Sequence, residues 1–97
     1  MKTYVFTPTA NSDVKNATRY YESCEEGLGE RFVHEIRTAL RHITQYPEAW
    51  ATTRCNARRY KIRSFPYLIF YLITSDTIVV VAVMNSRQNP KQLDNRI

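Results

Sequence analysis

Polar and apolar residues alternate from Thr3 to Thr7 around Tyr4 and Phe6 and the run stops at Pro8, the pattern of a short strand with one buried face. Asn11 or Ser12 is placed to cap a helix beginning at Asp13, whose carboxylate suits the positive end of a helix dipole. Val14, Ala17 and Tyr21 then share a face. Cys24-Glu25-Glu26-Gly27-Leu28-Gly29 holds both glycines of the protein and predicts a turn into a new element. The next helix is the clearest. At about 100° per residue, Leu28, Phe32, Ile36, Ala39, Leu40 and Ile43 fall in one stripe, with Val33 at its edge and Glu30, His34, Arg37 and Arg41 opposite. Pro47 disfavours helical geometry at Tyr46 and ends it there. Two helices joined by a short glycine turn make an antiparallel hairpin with one apolar face.

Beyond an irregular stretch around Trp50, Arg58-Arg59-Tyr60-Lys61-Ile62-Arg63 alternates basic with apolar. As a strand it sets Arg59, Lys61 and Arg63 on one face and Tyr60 and Ile62 on the other. Tyr67 to Ile73 and Ile78 to Met84 are unbroken apolar runs separated by Thr74-Ser75-Asp76-Thr77. Each is too short for a helix and rich in β-branched or aromatic residues, so the pair predicts a hairpin of central strands buried on both faces. The polar tail from Asn85 to Ile97 can form a last helical turn after Pro90. The order β-α-α-β-β-β is that of an α+β fold, with the helical hairpin packed on one face of a small, mostly antiparallel sheet.

The chain has 97 residues, 43% of them hydrophobic, which predicts one domain over residues 1–97. No apolar run reaches the roughly 18 residues of a membrane span, and the N-terminus carries no signal-like apolar stretch, so the expectation is a soluble, cytoplasmic protein. Cys24 and Cys55 then read as reduced thiols. Charge changes the picture more. The formal charge is +5, and it is unevenly spread: residues 1–48 carry a net −1 and residues 49–97 a net +6. That asymmetry favours acidic or polyanionic partners.

Familiar catalytic signatures are missing. There is no phosphate loop, no Gly-x-Gly-x-x-Gly and no His-Glu-x-x-His. His34 and His42 sit about 80° apart around one helix, too far round to share a metal as an i, i+4 pair does, and both read as solvated residues. No metal or other cofactor is implied. What remains is a basic set, Arg54, Arg58, Arg59, Lys61, Arg63 and Arg87, with Arg96 beyond it. Residues 54–63 hold five positive charges and no negative one, a density that an anion or acidic partner would relieve. The plainer reading is an edge strand that charge protects from aggregation. Trp50, Tyr60, Phe65 and Tyr67 nearby can stack on bases or simply fill a core.

Several of these features occur in an order that resembles the RelE/ParE toxins of type II toxin–antitoxin pairs. They are Phe6-Thr7-Pro8-Thr9-Ala10, Tyr20-Tyr21, Gly27-Leu28-Gly29 followed by Phe32, and Tyr46-Pro47. Further along come Phe65-Pro66-Tyr67, Ile69-Phe70-Tyr71, the strand from Ile78 to Val83, and Arg87-Gln88-Asn89-Pro90 before Arg96. The resemblance implies two helices on a curved antiparallel sheet and a small acidic antitoxin whose partly disordered segment folds on the toxin. It also implies one of two targets. ParE-like members inhibit DNA gyrase by binding it, whereas RelE-like members are ribosome-dependent mRNA endoribonucleases. In the nuclease case Arg59, Lys61, Arg63 and Arg87 would surround the scissile phosphate. That branch commonly has a C-terminal Tyr or His for proton transfer, and Asn85 to Ile97 contains neither, with Asn85 standing where many relatives have His. The Gly-Leu-Gly turn and the Phe-Pro-Tyr strand look more ParE-like. Arg54, Arg58, Arg59, Lys61, Arg63, Arg87 and Arg96 are accordingly expected to bind partners, with gyrase inhibition as the first reading. The mRNA nuclease and a non-toxic relative that only binds its antitoxin are the alternatives.

Overall fold

The computed structural model describes residues 2–97. Strand β1 (Thr3–Phe6) leads into helix α1 (Pro8–Cys24), helix α2 (Leu28–Gln45), a 3₁₀ turn (Arg54–Asn56), strands β2 (Arg58–Lys61), β3 (Tyr67–Ile73) and β4 (Thr77–Asn85), and a second 3₁₀ turn (Pro90–Asn95). The α+β class and the helical hairpin on the sheet are as the pattern predicts. The start of α1 is not. It begins at Pro8, and Thr7 is the cap, its Oγ1 accepting the Ala10 N–H at 3.1 Å. Proline loses nothing at the first helical position, where its missing N–H would have no partner, so Pro8 opens the helix as well as closing the strand. Asn11, Ser12 and Asp13 therefore lie inside α1, not at its cap.

Between the helices Gly27 adopts φ +87°, a left-handed conformation that glycine takes without strain. The Glu22 carboxylate reaches across and accepts the N–H groups of Gly27 and Gly29, both at 3.0 Å, capping α2 from the preceding helix. A Cβ on Gly29 would lie 2.8 Å from the Thr18 carbonyl oxygen, so the close approach of α1 and α2 depends on that residue having no side chain. Phe32, Ile36, Ala39, Leu40 and Ile43 of the predicted stripe are all buried.

The sheet order is β1-β4-β3-β2, with β1 parallel to β4 and the other pairs antiparallel. Against expectation, Tyr4 is 45% exposed and only Phe6 is half-buried, because β1 is an edge strand at the rim of the hairpin. Between Phe70 and Tyr71 the register slips: Phe70 pairs with Ala82 and Tyr71 with Val80, leaving Val81 as a bulge. Val81 and Ala82 consequently pack on the same side. The helix-side core gathers Phe32, Ile36, Ile43, Ile69, Tyr71, Ile78 and Val80, with Tyr21, Phe32, Phe65 and Tyr67 forming an aromatic cluster at one end. The opposite sheet face buries Phe70, Val81, Ala82 and Met84 under Ala57, just past the first 3₁₀ turn, and Leu93 of the second. A third layer, too thin to announce itself by periodicity, thus covers part of the sheet.

The chain's end is locked to its beginning. Arg96 Nη1 donates to Asp13 Oδ2 at 2.6 Å and to the Val81 carbonyl at 3.2 Å, and its Nη2 donates to Asp13 Oδ1 at 3.2 Å. Asp13 Oδ2 also accepts the Val83 N–H at 2.9 Å. No helix of the described residues is long and apolar enough to cross a membrane.

Candidate functional site

Sheet registry sorts the basic residues of β2. Arg59 lies in a row with Phe70 and Ala82, and Lys61 in a row with Leu68 and Met84, so both occupy the face opposite the helices, about 7 Å apart along the strand. Arg58 and Tyr60 alternate onto the helix side with Tyr71 and Ile69. Between the second face and the flanks of the 3₁₀ segments lies a cavity of about 120 Å³, floored by Leu68, Phe70 and Met84 and rimmed by Thr53, Arg59, Asn85, Ser86, Gln88 and Pro90. Arg87 stands exposed in the turn beyond β4. That turn is braced by side chains: the Arg87 N–H donates to Asn85 Oδ1 at 3.0 Å, and the Asn85 N–H donates to Gln88 Oε1 at 2.8 Å. Asn85 therefore has a structural task at the position where a histidine was sought.

The remaining cations are spent elsewhere. Arg54 makes a two-pronged pair with Asp94, at 3.2 Å from Nε and 2.8 Å from Nη2, joining the two 3₁₀ segments. The hydrogen bond from Arg54 holds the Asp94 carboxyl below the usual carboxylate range. Partial desolvation, with Asp94 alongside, pushes the neighbouring Cys55 thiol up, which disfavours its thiolate. Arg58 donates to the Trp50 carbonyl at 2.7 Å and the Glu48 carbonyl at 3.2 Å, pinning the loop before β2. Arg96 is held in its clamp on Asp13. Both free thiols are exposed.

Arg63 departs from the expected pattern. The strand ends at Lys61, and the turn that follows brings Arg63 round to the helix side. There it lines a separate groove of about 270 Å³ with His34, Glu35, Thr38, His42, Tyr60 and Ile62. The structure therefore keeps Arg59 and Lys61 on the second face, leaves Arg87 exposed in the turn beyond β4, and disperses Arg54, Arg58, Arg63 and Arg96. Sequence reasoning missed the apolar floor between them. Leu68, Phe70 and Met84 read as buried strand, and the available signal was that they alternate onto a face with no predicted layer above it. It also missed Asp94, whose single charge relieves part of the repulsion assigned to an outside partner. Among the described residues no group of three or more His, Cys, Asp or Glu side chains could hold a metal ion.

A cavity of this size, apolar at its floor and with Arg59 at its rim, can take one anchoring side chain with an acidic group beside it. Its lining contains no residue that exchanges protons near neutral pH. The family model for the ParE toxin of type II toxin–antitoxin systems, parDE, matches residues 4–90. Among solved structures, the chain is similar to a chain of the chromosomal ParDE toxin–antitoxin system from P. aeruginosa. The TM-score is 0.74 at 14% sequence identity, covering 88% of this chain and 96% of the other, a likeness of fold. The curated proteins contain no significant match.

Proposed function

Since the chain belongs to the ParE toxin family of type II toxin–antitoxin systems, we propose that it is a toxin that acts by binding and inhibiting DNA gyrase and is neutralised by a small acidic antitoxin. The observation that supports the binding reading is the second sheet face, where Arg59 rims a cavity with an apolar floor, Lys61 shares the face, and the lining offers no proton donor or base suited to RNA cleavage. An acidic segment that folds on this face would place apolar side chains over Leu68, Phe70 and Met84 and carboxylates beside Arg59 and Lys61. Arg54, Arg58 and Arg96, with their charges already engaged inside the fold, contribute by holding that face in shape.

The test is a parallel assay of the purified chain, freed of antitoxin, on gyrase supercoiling and on ribosome-bound mRNA. Gyrase-dependent double-strand breaks with intact mRNA are expected. Arg59→Ala and Arg87→Ala should each weaken antitoxin binding by about tenfold, or about 1.4 kcal/mol, with the fold intact. Cleaved mRNA with normal supercoiling would overturn the gyrase reading in favour of a ribosome-dependent endonuclease. No effect on either substrate, with antitoxin binding retained, would identify a non-toxic relative.

A further inference from the structure

The two edges of the sheet are finished differently. β2 carries Arg58, Arg59 and Lys61, and the segment before it folds back along its outer side: Thr52 bridges to Arg58, and the Arg59 N–H donates to the Ala51 carbonyl at 3.1 Å. That edge is charged and covered, two devices that keep a strand from pairing with other chains. β1, at the far edge, has neither. Thr3, Tyr4, Val5 and Phe6 bear no charge, and Tyr4 and Val5 are 45% and 51% exposed. An exposed apolar edge of this kind is a template for one more strand.

Which backbone groups the edge offers is fixed at both ends of β1. The Thr7 N–H donates to the Val80 carbonyl at 3.0 Å, so by alternation Thr3 and Val5 also turn their backbone groups toward β4, and Tyr4 and Phe6 turn theirs outward. The Lys2 N–H is already given to the Thr44 carbonyl at the end of α2, at 3.3 Å. Pro8, on the other side, has no N–H to give. Among the described residues, no backbone group bonds to the outward N–H and C=O of Tyr4 and Phe6.

Those outward groups select one way for β1 to pair with itself. With a two-fold axis at Val5, Tyr4 of one copy faces Phe6 of the other and each such pair exchanges both of its backbone bonds, while Val5 meets Val5 in the closer, non-hydrogen-bonded position. Lys2 then opposes Pro8, where one N–H is spent and the other is missing, so the ladder ends without stranding a donor. An axis at Tyr4 would set Phe6 against Lys2, and an axis at Phe6 would set Tyr4 against Pro8; each forfeits bonds that the Val5 axis keeps. The side chains agree with this register. Tyr4 and Phe6 lie on the helix side in the rows of Ile78 and Val80, their rings 6.0 Å apart and edge to face, and pairing brings two further rings alongside. Val5 lies on the second face in the row of Val79, and its counterpart covers it.

We propose that β1 is a self-association surface that pairs antiparallel with β1 of a second copy about a two-fold axis at Val5, joining the two sheets into one. The strand has no charge to draw an acidic segment, and it lies at the opposite edge from Arg59 and Lys61, so the proposal stands apart from the binding assigned to the second face. A four-residue strand buries less than the roughly 1,200 Å² of a standard interface, so the dimer is weak and concentration-dependent. Sedimentation of the full chain from about 10 μM to about 1 mM should show monomer giving way to dimer. Over the same range, amide exchange read by NMR should slow at Tyr4 and Phe6 more than at Val5, whose N–H faces β4. Val5→Lys and Val5→Glu should each weaken association at least about tenfold, because like charges then meet at the axis, and an equimolar mixture of the two should associate more tightly than either alone. Thermal melts of both variants separate a lost contact from a lost fold. A chain that stays monomeric throughout, association that Val5→Lys leaves unchanged, or a mixture no tighter than its components would overturn the proposal. So would Tyr4 and Phe6 amides that slow only when antitoxin is added, which would give the edge to that partner.

Discussion

The clamp between Arg96 and Asp13 gives the sharpest quantitative expectation, because it turns an apparent surface charge into a structural one. Arg96→Ala removes two charge-assisted bonds to Asp13 and one to the Val81 carbonyl. The paired side chains are only 18% and 17% exposed. An exposed pair is worth about 0–1 kcal/mol, and stripping one partner from a fully buried pair costs about 3–5 kcal/mol. At roughly one-sixth exposure the loss should be about 2 kcal/mol. Asp13→Ala should cost more, about 3 kcal/mol, because it also strands the Val83 N–H against the helix. For a chain of this length each kcal/mol moves Tm by about 4–8 °C, so Arg96→Ala should melt about 8–16 °C below the wild type by circular dichroism. A double-mutant cycle should return a coupling of about 1–2 kcal/mol. A shift below about 2 °C for Arg96→Ala, or an Asp13→Ala variant no weaker than it, would refute the argument and return Arg96 to the solvent, where deleting a charge costs less than about 0.5 kcal/mol.

Three further outcomes follow from the packing. The Tyr71 hydroxyl donates to the Pro47 carbonyl at 2.7 Å, and burial pushes its pKa up to about 12. A raised folded-state pKa stabilises the protonated form, so this contribution is complete below about pH 10 and is lost as the pH rises toward 12. Urea midpoints should fall across that window in the wild type and fall less in Tyr71→Phe; parallel curves would show that another group is responsible. Gly29→Ala should lower Tm despite the better helix propensity of alanine, since its Cβ would meet the Thr18 carbonyl oxygen at 2.8 Å and overpacking costs about 1–3 kcal/mol; an unchanged or higher Tm would mean that the helices separate freely. Gly27→Ala meets no atom within 4 Å but must hold φ +87°, so it should cost about 1–2 kcal/mol through backbone strain alone, and a neutral result would show that the turn relaxes.

The helical stripe, the turn at Gly27 and the two central strands were legible because burial writes a period into the chain, and each of those elements buries one face or both. The start of α1 was not. Pro8 is compatible with ending a strand and with opening a helix, and only the Thr7 cap decides between them. The basic residues show the same limit. Alternation correctly separated Arg59 and Lys61 from Tyr60, but it could not foresee that β2 ends at Lys61 and that Arg63 turns the other way. Charge density was visible and its destination was not, since the partners of Arg54 and Arg96 lie 40 and 83 residues away along the chain. The contact of His42 Nδ1 with the Tyr60 hydroxyl at 2.8 Å, between residues 18 positions apart, was likewise invisible to spacing.

The parallel pairing of β1 with β4 carries a consequence for how the molecule comes into being. Thr3 pairs with Thr77 and Phe6 with Val80, so the first strand made has no neighbour until the last strand exists. The helical hairpin can form from local contacts while the rest of the chain is being synthesised, but its apolar stripe stays uncovered until β3 and β4 arrive. Closing a loop of that length comes late in the order of events, and the Asp13–Arg96 clamp comes later still. A nascent chain that stops short of β4 therefore holds neither the completed sheet nor the face that Arg59 and Lys61 present. A partly made copy therefore leaves apolar surface uncovered, the condition under which incomplete chains aggregate, and is not a small version of the finished protein.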